Sequence, residues 1–310
     1  EGLVSSSEPF KSLLCQGMVL AESFYTESAG RKVWLSPRDV KVERDAKGRA
    51  LSAIDIKTGL PVHSGGITKM SKSKNNGIDP QTTIDKYGAD TVRLFTMFAA
   101  PPEQTLEWSD EGVSGAYRFL RKLWKMVHDH LRLNSADPLN VGSLNETQKD
   151  LRRKTHETIG KVNDDYGRRN TFNTAIAAVM ELLNDIAKLN ESDAQSIAVR
   201  HEALTCAILL LSPVAPHICH SLWATLGNSE SVADASWPVV DESALVRMTI
   251  TLVLQVNGKV RGKIEVSADI SKQDIEEIAL QDANVQRFIE GFTIRKIIIV
   301  PGRLINIVAN

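Results

Sequence analysis

Gly65-Gly66-Ile67-Thr68-Lys69-Met70-Ser71-Lys72-Ser73-Lys74-Asn75-Asn76-Gly77 is the stretch on which the reading of this chain turns. Lys69 and Lys72 stand three residues apart, interleaved with the hydroxyls of Ser71 and Ser73 and preceded by two glycines. Such a loop is cationic and rich in donors, and the glycines supply a hinge that would let it close. It suits a polyphosphate whose charge grows at the bridging and leaving oxygens during attack on the α-phosphorus. A lysine ammonium is a compact charge that can follow the departing pyrophosphate, and stabilising developing charge is usually the largest catalytic contribution. On spacing alone, a solvated surface loop fits the same residues.

Working outward, residues Pro9 to Ala21 form a short apolar stretch, and from Val33 to Val62 the pattern turns β-like. Val40-Lys41-Val42 and Leu51-Ser52-Ala53-Ile54 flank Asp45-Ala46-Lys47-Gly48-Arg49, a hairpin-type connection. From Tyr25 to Lys74 there are eleven Lys or Arg against five Asp or Glu, an excess of six positive charges over a small β-rich insertion and the loop after it. From Gly112 to about Leu226 the spacing is helical. Val113, Ala116, Leu120, Leu123, Val127 and Leu131 form one stripe; Phe172, Ile176, Val179, Leu183, Ile186 and Leu189 form a second; Leu204 to Leu211 form a third. Pro216 is placed to open a further helix. Three or four long helices with short connections predict an antiparallel bundle. After a polar stretch, Ile250, Leu252, Leu254 and Val256 alternate up to Asn257-Gly258, the strongest short hairpin signal. Ser271-Lys272-Gln273-Asp274 resembles a capping box, and Ile297 to Val300 and Leu304 to Val308 predict further strands of a compact α/β terminal domain.

The 310 residues suffice for two or three domains, and 42% hydrophobic with 24% charged content excludes a fibrous or disordered chain. No apolar run approaches the ~20 residues of a membrane span. Three scattered cysteines, Cys15, Cys206 and Cys219, argue for a reducing compartment, the cytoplasm, and against a disulfide framework or a zinc ribbon. Glu1-Gly2-Leu3 has neither an initiator Met nor the pattern of a signal peptide, and reads as a cut through a longer chain.

The five letters Lys69-Met70-Ser71-Lys72-Ser73 match the KMSKS signature of class I aminoacyl-tRNA synthetases. Ser73 to Pro80 and Lys86 to Phe95 resemble the residues that come after that loop in the leucine, isoleucine and valine enzymes. Leu13 to Leu20, Thr105-Leu106-Glu107-Trp108-Ser109 and Val256 to Lys263 are similar to the bacterial leucyl-tRNA synthetases in particular. The resemblance runs from about Glu8 to the last residue and implies a multidomain α/β plus all-α fold. Residues 1–24 and 66–109 would be the C-terminal part of a Rossmann-type catalytic domain, interrupted at 25–65 by a leucine-specific-type insertion. Residues 110–240 would be an anticodon-binding-type bundle and 247–310 a C-terminal tRNA-binding domain. The implied activity is ATP-dependent joining of L-leucine to tRNA(Leu) through a leucyl-adenylate, with Mg²⁺ on the phosphates. Lys72 and Lys69 would face the ATP phosphates, and Ser71 and Ser73 would be loop-shaping donors. The family's HIGH motif and editing domain do not occur in these residues. The chain alone is therefore expected to be inactive, and a monomer.

His217-Ile218-Cys219-His220 comes close to a HIGH tetrapeptide, but it lies downstream of the loop in a helical pattern and has Cys where Gly lets backbone approach a nucleotide. Its spacing does not bring His217, Cys219 and His220 onto one helix face, so core packing, not zinc ligation, is expected. On a helical wheel at about 100° per residue, Arg121, Lys122, Lys125 and Arg132 fall within roughly 100° around Arg118, opposite the apolar stripe. Such a stripe can track a phosphate backbone, and in the resembled family this helix lies along the tRNA, giving Arg118, Arg121 and Lys122 as RNA contacts without anticodon reading. Lys259, Arg261 and Lys263 alternate along a strand and are expected to share one face; in the resembled family this domain reaches the tRNA elbow. A freestanding tRNA-binding module, and another nucleotidyltransferase with a similar loop, are the alternative readings.

Overall fold

Strand β1 (Val19–Ser28) turns through Ala29-Gly30, both at positive φ, into the antiparallel β2 (Arg31–Leu35). In this computed structural model, which describes residues 13–46, 50–133, 137–246, 249–267 and 270–310, β3 (Val40–Arg44) and β4 (Ala50–Asp55) form the expected hairpin as a separate two-stranded sheet. Lys47, Gly48 and Arg49 of the expected connection, and the residues before Leu13, lie outside the described ones. The chain returns along β1 as β5 (His63–Lys69), and β6 (Leu106–Glu107) adds to the other edge of β1 in parallel. Strands β1 and β5 each continue through the positions that the sequence pattern marks as entry to and exit from the insertion.

Helices α1 (Pro80–Tyr87) and α2 (Ala89–Ala99) lead to β6, and Ser109 caps α3 (Asp110–Leu131) by accepting from Gly112 N–H. An added Cβ at Gly112 would lie 2.7 Å from the Phe95 ring, so the absence of a side chain lets α2 close on α3. The bundle continues with α4 (Glu146–Asp164), α5 (Phe172–Ile186), α6 (Ala194–Leu211) and α7 (Pro216–Thr225). One core runs through Leu94 and Phe95 of α2, Leu120 and Leu123 of α3, Ile176 and Leu183 of α5 and Leu204 to Leu211 of α6. Helix α6 is long and apolar enough to cross a membrane by length and composition. Its apolar residues face the bundle from several sides, as in a central core helix.

Two details depart from the sequence pattern. Leu131, the last member of the α3 stripe, is 38% exposed, and His130 turns inward instead, toward His201 of α6 at 3.2 Å. Helix α4 has only a sparse apolar stripe to announce it: on its buried face Leu151, Ile159 and Val162 are interleaved with Gln148, Arg152, Thr155, His156 and Thr158.

Leu245–Asn310 is a second unit with its own core. Strands β7 (Thr249–Val256) and β8 (Lys259–Ser267) meet at Asn257 and Gly258, with φ of 49° and 78°, the left-handed pair that a tight hairpin turn requires. Ser271 caps α8 (Lys272–Gln281), α9 (Ala283–Ile289) comes next, and β9 (Ile294–Val300) pairs with β10 (Leu304–Ala309). The sheet order is β8-β7-β10-β9, with β10 parallel to β7.

Candidate functional site: a pinned cationic loop and a basic helix face

The loop after β5 is held from beneath by one side chain. Asn76 is fully buried; its Oδ1 accepts from Ser71 N–H at 2.9 Å, and its Nδ2 points among the carbonyls of Ala21, Thr68 and Lys69 at 3.3 to 3.4 Å. Met70 N–H donates to Val19 O at 3.0 Å. Ser71 then caps a short 3₁₀ turn, Lys72–Lys74, by accepting from Lys74 N–H at 3.3 Å, and its Oγ lies 3.2 Å from that of Ser73. Asn75 closes the turn at φ 51°, in the left-handed region that Asn tolerates better than most residues. The loop therefore wraps around a buried amide, while Lys69, Lys72 and Ser73 are exposed. Among the described residues, neither Lys69 nor Lys72 has an acidic partner. Lys74 lies 5.6 Å from the Trp34 ring. Both serines shape the loop, and the two unpaired ammonium groups are the part left to meet an anion.

Gly65 and Gly66 do not form a free hinge, as the sequence suggested. They sit inside β5 at a bulge: Ser23 pairs with Gly66 and Phe24 with Ser64, which leaves Gly65 as the extra residue. A Cβ at Gly65 would lie 2.6 Å from Ser23 Oγ and 2.7 Å from the Trp34 ring, so close approach explains this glycine. Beyond the loop, Asp79 caps α1 by accepting from the N–H groups of Gln81 and Thr82. The Thr82 hydroxyl and these amides hold its carboxyl below the usual carboxylate range. Arg38, from the segment between β2 and β3, donates to Thr82 Oγ1 at 3.0 Å and to Asp79 O at 3.3 Å.

Helix α3 presents Arg118, Arg121, Lys122, Lys125 and Arg132 outward, as the wheel predicts. Arg118 donates to Ser114 Oγ at 3.0 Å and Lys122 to Asn184 Oδ1 at 2.6 Å. Lys125 pairs with Asp129, which also draws Arg132 to 3.6 Å. One cation–acid cluster at the C-terminal end thus partly neutralises the stripe, and Arg118 and Arg121 are free of acids among the described residues.

The three cations of the terminal unit do not share a face. Leu254 pairs with Gly262 and Gln255 with Val260, so Arg261 is the extra residue of a bulge that breaks the alternation. Lys259 stands opposite the buried Val256 and Lys263 opposite Val253, on the other face of β7. Arg261 packs inward, its guanidinium 3.5 Å from the centre of the Phe288 ring, with Nε buried and unpartnered. Lys259 and Lys263 remain exposed.

In the HIGH-like tetrapeptide, Cys219 is buried in the bundle, and burial pushes its thiol well above the usual range. His217 and His220 are solvent-facing instead of packed, because α7 turns that side outward; His217 Nδ1 lies 2.8 Å from Asp90, whose other oxygen accepts from Ile218 N–H. Among the described residues no group of three or more His, Cys, Asp or Glu could hold a metal ion. Asn76 and Arg38 were not singled out from the sequence. Their positions, Asn76 just after the lysine loop and Arg38 inside the short 3₁₀ turn Pro37–Asp39, were visible, but their bonding partners were not.

The sequence profile of the anticodon-binding domain of tRNA ligases matches residues 148–277, and that of class I tRNA synthetases for isoleucine, leucine, methionine and valine matches 56–109. The leucine–tRNA ligase of Marinobacter nauticus is 63% identical over 310 residues, and that of Cellvibrio japonicus 60% identical over 311. Both alignments cover the whole chain and 36% of the relative, so the chain spans about a third of the length of the curated relatives it matches. A solved leucyl-tRNA synthetase from Agrobacterium radiobacter K84, in a ternary complex with tRNA and LeuAMS, superposes with a TM-score of 0.67 at 28% identity. That match covers 78% of this chain and 32% of the other.

Proposed function

From the premise that this chain belongs by sequence with the leucine–tRNA ligases, we propose that it supplies the ATP-facing loop and RNA-binding surfaces of such an enzyme. The reaction is ATP-dependent joining of L-leucine to tRNA(Leu) through a leucyl-adenylate. The carrying observation is the loop itself: a buried amide fixes its backbone and leaves Lys69 and Lys72 exposed without acidic partners. When a carboxylate oxygen attacks the α-phosphorus, the bond to the bridging oxygen breaks and negative charge moves onto pyrophosphate. Two ammonium groups near that oxygen lower the barrier because the charge they oppose grows along the reaction. The loop offers cations and hydroxyls suited to phosphate oxygens, so Mg²⁺ would be held by the phosphates. The buried free thiols Cys206 and Cys219 suit a reducing compartment, so we assign the protein to the cytoplasm.

The test joins this chain to the preceding two-thirds of the Marinobacter nauticus relative and measures leucine-dependent ATP–pyrophosphate exchange. The fusion is expected to exchange, the 310 residues alone to give none, and Lys72→Ala in the fusion to lower kcat by roughly 100- to 1000-fold. Exchange by the isolated chain, or an unaltered Lys72→Ala fusion, overturns the assignment.

A further inference from the structure

The basic arc of α3 has an aromatic border. At about 100° per residue, Arg121, Arg118 and Lys122 succeed one another around the helix, and His128, Tyr117 and Trp124 continue on the Arg121 side. Trp124 is 41% exposed although it belongs to the residue types with most to gain from burial. Its indole is stacked on the His128 ring, with centroids 4.5 Å apart and planes at 25°, and His128 Nδ1 lies 2.9 Å from Trp124 O. The pair is thus held in place at the surface. The arrangement extends along the helix: the Arg121 guanidinium lies 5.9 Å from the Tyr117 ring, and Tyr117 meets Tyr87 edge-on at 5.5 Å.

A solvated helix face explains the cations but not an ordered, exposed indole beside them. Positive charge along one line with aromatic faces along the next is the arrangement that binds unpaired nucleic acid, the phosphates following the cations and a base lying on a ring. Paired RNA offers the phosphates but keeps its bases in the stack. We propose that Trp124, backed by His128, is a stacking platform for an unpaired base of the RNA whose backbone runs along Arg118, Arg121 and Lys122. The inference rests on the reading of α3 as an RNA-binding face and adds what that face selects: a loop or bulge nucleotide over a blunt duplex.

The test measures binding by the full chain of a short hairpin RNA with an unpaired loop, and of a blunt duplex with the same stem, across a salt series. The wild type is expected to prefer the hairpin. Trp124→Ala is expected to weaken hairpin binding by about 5- to 150-fold, the range of one base–aromatic stack, with no change in salt slope and little effect on the duplex. Trp124→Phe retains most of the affinity. Arg121→Ala weakens both RNAs and reduces the salt slope by about one. 2-Aminopurine in the hairpin loop is expected to lose fluorescence on binding wild type and Trp124→Phe, which keeps the test decisive should Trp124→Ala fold poorly. Equal affinity for the two RNAs, or 2-aminopurine fluorescence unchanged on binding, overturns the platform while leaving the RNA face standing. Failure of both RNAs to bind at low salt overturns the RNA face as well.

Discussion

Asn76 concentrates the physics of the lysine loop in one side chain. A primary amide is the smallest group that can accept from one backbone N–H and donate toward several carbonyls, and here it does both in a fully buried position. Asn76→Ala would leave Ser71 N–H and nearby carbonyls short of partners, at a cost of about 1–3 kcal/mol for a buried group left unsatisfied. Amide exchange of Ser71 and its neighbours through Asn75 is expected to accelerate by about 5- to 150-fold in Asn76→Ala, with the amides of α5 unchanged. Unaltered exchange across the loop would show that strand pairing alone holds it. Lys69, Lys72, Ser71 and Ser73 were legible in the sequence because their chemistry lies in their own side chains. Asn76 acts through backbone groups as far away as Ala21, which no local pattern reveals.

At the scale of elements, legibility followed the nature of each buried face. Helices α3 and α5 bury regular apolar stripes and were readable from spacing. Helix α4 buries Arg152, whose guanidinium reaches Glu202 at 3.2 Å and Asp241 at 2.6 Å, and His156, whose Nδ1 accepts from Asp241 N–H at 3.0 Å. An inward face on which polar residues outnumber Leu151, Ile159 and Val162 yields only a broken apolar period, so the helix was masked by the same polar groups that find partners inside. The bulge at Arg261 was hidden for a related reason: one extra residue flips every following side chain, and nothing in an alternating run marks where it is inserted. Between α3 and α6, His130 and His201 form another polar contact inside the bundle. Burial, with His201 and Arg200 nearby, lowers the His130 pKa from 6.5 to about 4, and burial lowers that of His201 as well. The folded state holds His130 neutral where the unfolded chain protonates it, so its contribution is intact above pH 6.5 and is lost as pH falls toward about 4. Thermal melting followed across that interval is expected to drop more steeply for the wild type than for His130→Gln, which keeps an amide in the contact without a titrating ring. Parallel curves would mean that the pair titrates alike in the folded and unfolded chains.

The whole molecule divides in a way that the change of period, from helical spacing to alternation after Gly227, already suggested. The Rossmann-type character of the first part was not readable from pattern, since residues 13–109 hold only a few strands of such a domain, and it came through resemblance. The terminal unit was readable because its hairpin, cap and strands are all local signals. Its core, Leu252, Leu254, Val256, Ile275, Ala279, Val285, Ile305 and Ile307, contains no residue of the bundle core. Two separate cores predict two cooperative transitions, because cooperativity extends only as far as a shared packing network. Calorimetry of the full chain is expected to give a measured enthalpy larger than the van't Hoff value of its main transition. Leu254→Ala removes a fully buried side chain at a cost of about 2–5 kcal/mol, and it is expected to lower one transition while the other stays in place. The unmoved transition belongs to the bundle and should instead respond to Leu204→Ala, buried in α6. A single transition that shifts as a whole with either substitution would mean that the two cores unfold together, and that the terminal unit owes its stability to the rest of the chain.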